Sequence, residues 1–267
     1  GRLDASAMPR IELAAGLQMW TSAKTHTLLH GLVVTGSVNN PLVNLSLNCS
    51  LTRCCIINAG SGTSVSCANP STWNAVADCD LEVTSGTYNA VLALAQICQV
   101  RGCTVLGPGK GVAGSGNRRG IASAFGFYVN NCYVAGVAGE GLHTTHSDSI
   151  VNCSRMTVRD VGGDGIAMIN ASINPHRVVT DSVIVGCGGW GINCSTAGAA
   201  ISLRNRMRNN TSGNLNGHNA VMSDSPLTEA TTDAEEFADL AGGDFGLRPS
   251  SPASAERLGG SGLGWAP

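Results

Sequence analysis

The chain has 267 residues, a net charge of −2, 13% charged and 4% aromatic residues, and 35 glycines. That balance argues against a nucleic-acid-binding surface, and no apolar run reaches the ~20 residues of a membrane-spanning helix. Few aromatics and many small residues suit a narrow, stacked core.

Residues 1–30 precede any clear pattern. No signal-peptide pattern opens them, and the start at Gly1 suits a processed or partial product. Ile11, Leu13, Ala14 and Leu17 give a short segment one apolar side, as expected of a cap over the first open turn of a repeat.

From residue 31 to about residue 215 a short motif recurs. Cys55-Ile-Ile57, Cys79-Asp-Leu81, Cys103-Thr-Val105 and Cys132-Tyr-Val134 begin 24, 24 and 29 residues apart. The longer step holds a Gly-rich run, residues 107–116, which reads as an inserted loop and not as a phosphate-binding one. Met156-Thr-Val158 and Ser182-Val-Ile184 continue the series, which extends back to Gly31-Leu-Val33 and forward to Ile201-Ser-Leu203. A period of this length marks a repeat architecture. Apolar positions alternate with a period of two, the strand signature. The expected fold is therefore all-β: a parallel β-helix of seven or eight coils of about 24 residues each, whose inward residues stack into ladders of like side chains. Cys55, Cys79, Cys103 and Cys132 are expected to point into the core one above another, as free thiols. Cys54 and Cys55, as strand neighbours, face opposite ways. Gly141, Gly165 and Gly191 recur at one offset and predict a corner needing positive φ or close backbone approach. Arg204, Arg206 and Arg208 alternate, as on a solvated strand face.

Residues 216–267 form a separate closing segment and tail. The stretch from Thr231 to Leu240 predicts a helix start, capped by Thr232 or Asp233. Phe237-x-Asp239, Gly243-Asp244-Phe245-x-Leu247 and Ser251-Pro252-Ala253 resemble the closing segment of many bacterial and phage right-handed parallel β-helix proteins of the pectate-lyase-like superfamily. Ser254-Ala255-Glu256 stands where that family often has an aliphatic residue followed by Asp-x-Gly. The resemblance implies the fold, but this fold hosts lyases, hydrolases, epimerases, adhesins and virion proteins.

The richest polar cluster is Glu140, His143, His146 and Asp148, with Arg155, Arg159, Asp160 and Asp164 one coil on. Stacking places Glu140 near Asp164 and His143 near Ala167. Paired carboxylates divide acid and base roles in glycoside hydrolysis, and a carboxylate with an arginine serves proton abstraction in a lyase. Glu140, Asp148, Asp160, Asp164 and Arg155 are thus the catalytic candidates, and Trp190 and His143 the carbohydrate-contacting ones. The His143, His146 and Asp148 spacing alternates between strand faces and does not suit one metal ion, and nothing calls for a cofactor. The catalytic apparatus is sparse, so the expected role is structural. It is that of a virion or cell-exterior protein in tail or capsid decoration or adhesion, with possible polysaccharide contact. The expected assembly is a homo-oligomer, a trimer in particular, or a complex with other surface proteins. A polysaccharide lyase or glycoside hydrolase is the alternative.

Overall fold

The computed structural model describes residues 2–20, 26–39, 41–67, 73–84, 89–93, 97–111, 118–123, 126–144, 151–169, 177–223, 237–239 and 244–248. Short strands dominate, and the only helical element among these residues is a 3-10 turn, Ala5–Ala7, capped by Asp4. Strands stack in parallel into a nine-stranded sheet and a sixteen-stranded one. The larger sheet has two arms that share the long strand Trp190–Leu203. The arm that begins at Met19–Trp20 is here called the Met19 arm, and the one that begins at Leu28–His30 the Leu28 arm. The chain visits the nine-stranded sheet, the Met19 arm and the Leu28 arm in turn, once per coil. The result is a parallel β-solenoid.

A single residue makes the turn from the Leu28 arm to the nine-stranded sheet. Gly31, Arg53, Asp78, Gly102, Asn131, Arg155, Asp181 and Arg204 all sit there with φ between 50° and 67°. Side chains other than glycine are strained in this region, Asp and Asn least. One left-handed residue redirects the strand and brings the next side chain inward.

Three inward ladders fill the core. On the nine-stranded sheet the aliphatic column is Val34, Ile56, Leu81, Val105, Val134, Val158, Ile184 and Met207, each at most 1% exposed. The Met19 arm contributes Val43, Val65, Val91, Ile121, Leu142, Ile166 and Ile192. The Leu28 arm contributes Leu51, Val76, Val100, Val129, Cys153 and Val179. Burying an aliphatic side chain of this kind stabilises by ~1.5–3 kcal/mol.

The register corrects the expected columns in three places. Cys54, not Cys55, precedes Cys79, Cys103 and Cys132 in the inward thiol column, and Ile56 replaces Ile57. Cys55 pairs with Asp80 and faces outward, although it is buried. At the start Val34 replaces Val33. At the end Met207, preceded by Asn205, replaces Leu203, which pairs with Thr180 in the Leu28 arm. The nine-stranded sheet also begins earlier than expected, with Arg10–Glu12.

The outer side of this sheet is covered. Val33, Cys55, Asp80, Thr104, Tyr133, Thr157, Val183 and Arg206 form its first outward row and are all buried. Leu3 donates its amide to Asp80 Oδ2 (2.6 Å), and Arg2 reaches Asp80 and Glu82. Farther along, Phe237 is buried, with the Arg159 guanidinium 5.7 Å from its ring centroid. The expected solvated arginine face is therefore not present: Arg206 and Arg208 are buried in these rows, and Arg204 forks onto Asp181 at 2.6 and 2.8 Å. Phe237–Asp239 is a strand antiparallel to Asp244–Leu247, where the sequence predicted helix; residues 231–236 lie outside the described residues. No helix among the described residues is long and apolar enough to cross a membrane.

Candidate functional site

Glu140 and Arg119 each stand just before a strand of the Met19 arm, in adjacent coils. Gly120 donates to Glu140 O (3.0 Å) and Gly141 to Asp164 O (3.0 Å), so Arg119, Glu140 and Asp164 follow one another along the corner. The corner is tight because glycine allows it. A Cβ on Gly165 would lie 2.4 Å from Ile184 Cγ2 and 2.6 Å from Gly191 O. Close approach, not positive φ, is thus what Gly141, Gly165 and Gly191 provide.

Arg119 Nε donates to Glu140 Oε2 at 3.0 Å, both side chains being largely buried. His143 lies in register between Ala122 and Ala167, as the spacing predicted, and is 2% exposed. Burial, and after it the charge of Arg119, pull its pKa down to about 4, with Glu140 partly opposing them. The imidazole is therefore neutral near pH 7. Asp164 sits one coil beyond Glu140, but both its oxygens are engaged: Oδ1 accepts from Trp190 N (2.6 Å) and Oδ2 from Asn193 Nδ2 (2.6 Å). Trp190 is half-buried, and a Cβ on Gly213 would come within 2.6 Å of its Cζ3.

The remaining candidates lie elsewhere. Arg155 is at the left-handed turn after the Leu28 arm and donates to Asn130 Oδ1 (3.1 Å). Asp160 follows the strand Thr157–Arg159 of the nine-stranded sheet, where Arg159 donates to its carboxylate (Nε, 2.8 Å) and Lys110 Nζ lies 3.7 Å away. Asp148 and His146 lie outside the described residues. Glu140, His143 and Asp164 thus share one corner, with Trp190; Asp160 and Arg155 occupy two others.

A concave place lies on another face and was not legible in the sequence. A groove of about 510 Å³ runs over the outer side of the nine-stranded sheet, lined by Arg2, Glu82, Leu106, Tyr133, Arg159 and Asp160 among others. Of these, Arg159 and Asp160 were singled out from the sequence; the others were not, because the groove walls come from segments far apart in the chain. Trp73, 57% exposed on the Leu28 arm, was also missed. Its place one residue before the inward row of Asn74 and Val76 was the available signal.

No family model matches the chain, and no curated protein or solved structure does either.

Proposed function

We propose that the chain is a non-catalytic structural or attachment β-helix of a virion or cell exterior, right-handed and of the pectate-lyase-like kind, in contact with surface glycans. Parallel crossover connections are right-handed in ~98% of cases, which supports the hand. Within its assembly the rod associates with copies of itself, as a trimer, or with other exterior proteins.

One observation carries the non-catalytic reading: the paired carboxylates Glu140 and Asp164 are used to hold the coils together. Glu140 binds Arg119 of the preceding coil, and Asp164 binds the amide of Trp190 and the side chain of Asn193 in the next. Asp160, in the wall of the groove, is ion-paired with its chain neighbour Arg159 and with Lys110. A general acid or base needs a free face toward substrate.

A carbohydrate-active enzyme is the second reading. It is favoured by the meeting of Glu140, Arg119 and the imidazole of His143 at one corner, residue types that serve acid–base chemistry, although burial makes this imidazole a weak base. His143 is nevertheless 2% exposed, which keeps substrate from it. The test is incubation with acidic and neutral polysaccharides, following reducing ends and unsaturated uronate. The scaffold reading expects no product. Product release that disappears in Glu140→Gln would establish the enzyme.

A further inference from the structure

The solenoid presents three outer faces, and they differ in cover. The first outward row of the nine-stranded sheet is buried, and on the Met19 arm Asn44, Ser66, Ala122, His143 and Ala167 are buried as well. The Leu28 arm is the most open of the three. Four large hydrophobic side chains are exposed among the described residues, and three of them, Leu28 (62%), Trp73 (57%) and Tyr128 (38%), stand on this one face.

Register fixes their layout. Ser50 pairs with both Leu28 and Ala75, and Gln99 with both Ala75 and Tyr128, so Leu28 and Tyr128 share one outward row. Trp73 lies two strands from Tyr128 and two residues earlier along the strand. Strand spacing and rise then put the two aromatic residues ~12 Å apart. An extended saccharide of a few rings spans that distance. The exposed amides of Gln99 and Asn152 flank Tyr128 in its row. Aromatic faces for the apolar sides of sugar rings, with amides between them for hydroxyls, make a complementary surface.

Charge and area select the occupant. The outward rows carry Arg101 and His30 but no carboxylate, and Arg155 reaches Asn130 at their edge; the four side chains Trp73, Tyr128, Gln99 and Asn152 outnumber the two arginines, so a neutral chain engages more of the face than a polyanion. Eight strands make the face ~34 Å long, and strands of three to five residues make it ~10–15 Å wide. Its area is on the order of 400 Å², about half of the ~800 Å² each partner gives to a stable protein interface. A second copy of the chain is therefore a poor fit, while a single polysaccharide strand lies within the face.

We infer that the outer face of the Leu28 arm binds a neutral polysaccharide, with Trp73 and Tyr128 as stacking platforms and Gln99 and Asn152 as hydroxyl partners. This rests on the glycan-contacting reading above and names its surface and ligand class. The experiment is retention of the intact chain on amorphous cellulose and on gels containing mannan, galactan or dextran, with polygalacturonate as the acidic comparison. Wild type should be retained by at least one neutral polymer. Trp73→Ala should weaken that retention at least tenfold and Tyr128→Ala several-fold, with unchanged melting temperatures. Four outcomes would overturn the inference: no retention on any neutral polymer, preference for polygalacturonate, retention unchanged in both variants, or a wild-type dimer that Trp73→Ala converts to monomer. Product release from a retained polymer would instead defeat the non-catalytic reading, and loss of binding in Trp73→Ala would still support this face.

Discussion

The thiol column behaves as a hydrogen-bonded ladder, and that inverts a simple expectation about serine. Ser182 occupies the column next to Met156; its hydroxyl donates to Thr180 O (2.8 Å) and accepts from the Met156 amide (3.1 Å). The cysteines repeat this geometry: Cys54, Cys79, Cys103 and Cys132 each reach the carbonyl two residues upstream at 3.1–3.3 Å, and the Cys54 amide meets Cys79 Sγ at 3.5 Å. A buried hydroxyl without a partner would cost ~1–3 kcal/mol. In Cys103→Ser, however, the hydroxyl inherits the Arg101 carbonyl, and a net hydrogen-bond gain of ~1 kcal/mol offsets most of the lost apolar burial. The net cost should be below ~1 kcal/mol. Ser182→Ala leaves the buried Met156 amide unpaired and should cost ~1–3 kcal/mol, although alanine is the more apolar residue. Each 1 kcal/mol lowers the melting temperature by ~2–4 °C in a domain of about this size. Thermal melts followed by circular dichroism should therefore place Ser182→Ala below Cys103→Ser. The reverse order would mean that the column is apolar filling and that the ladder is misread.

Three more outcomes are expected. Gly165→Ala, whose Cβ would meet a carbonyl of the next coil at 2.6 Å, should lose at least ~1–3 kcal/mol by overpacking, seen as an earlier urea midpoint; a neutral effect would contradict the coil register. His143 has a depressed folded pKa of about 4, so stability should be full above pH ~6.5 and fall as pH drops toward 4; melts of wild type against His143→Gln should differ in that window. All eleven cysteines are buried and free, burial raises the thiol pKa of Cys103 and Cys153, and a hydrogen bond with Cys103 raises that of Cys79, so native protein should react slowly with a disulfide reagent and unfolded protein at every site. Rapid native labelling, or cysteines found bonded by mass spectrometry, would argue against it.

The architecture was legible because the repeat writes the same inward residues at a fixed period. The register was legible only where the flanking residues broke a tie. In Cys54-Cys55-Ile56-Ile57 a shift of one residue exchanges like for like, and both cysteines are buried, so burial could not settle the column. Leu32-Val33-Val34 poses the same ambiguity. At the far end Asn205 holds the column through the Ser182 amide (3.0 Å), a polar substitute that an apolar pattern passes over. The cover on the nine-stranded sheet was not legible, since Leu3 and Phe237 meet it from opposite ends of the chain. Similarly, the adjacency of Glu140 and Asp164 follows from the period, but their partners Arg119 and Asn193 follow from side-chain direction, which spacing does not specify.

Calorimetric titration of the intact chain with a neutral oligosaccharide tests the central claim most directly, because one trace reports both binding and turnover. The account predicts heat that saturates and returns to baseline after each injection, and that is lost in Trp73→Ala. Sustained heat flow after saturation, abolished by Glu140→Gln, would contradict it.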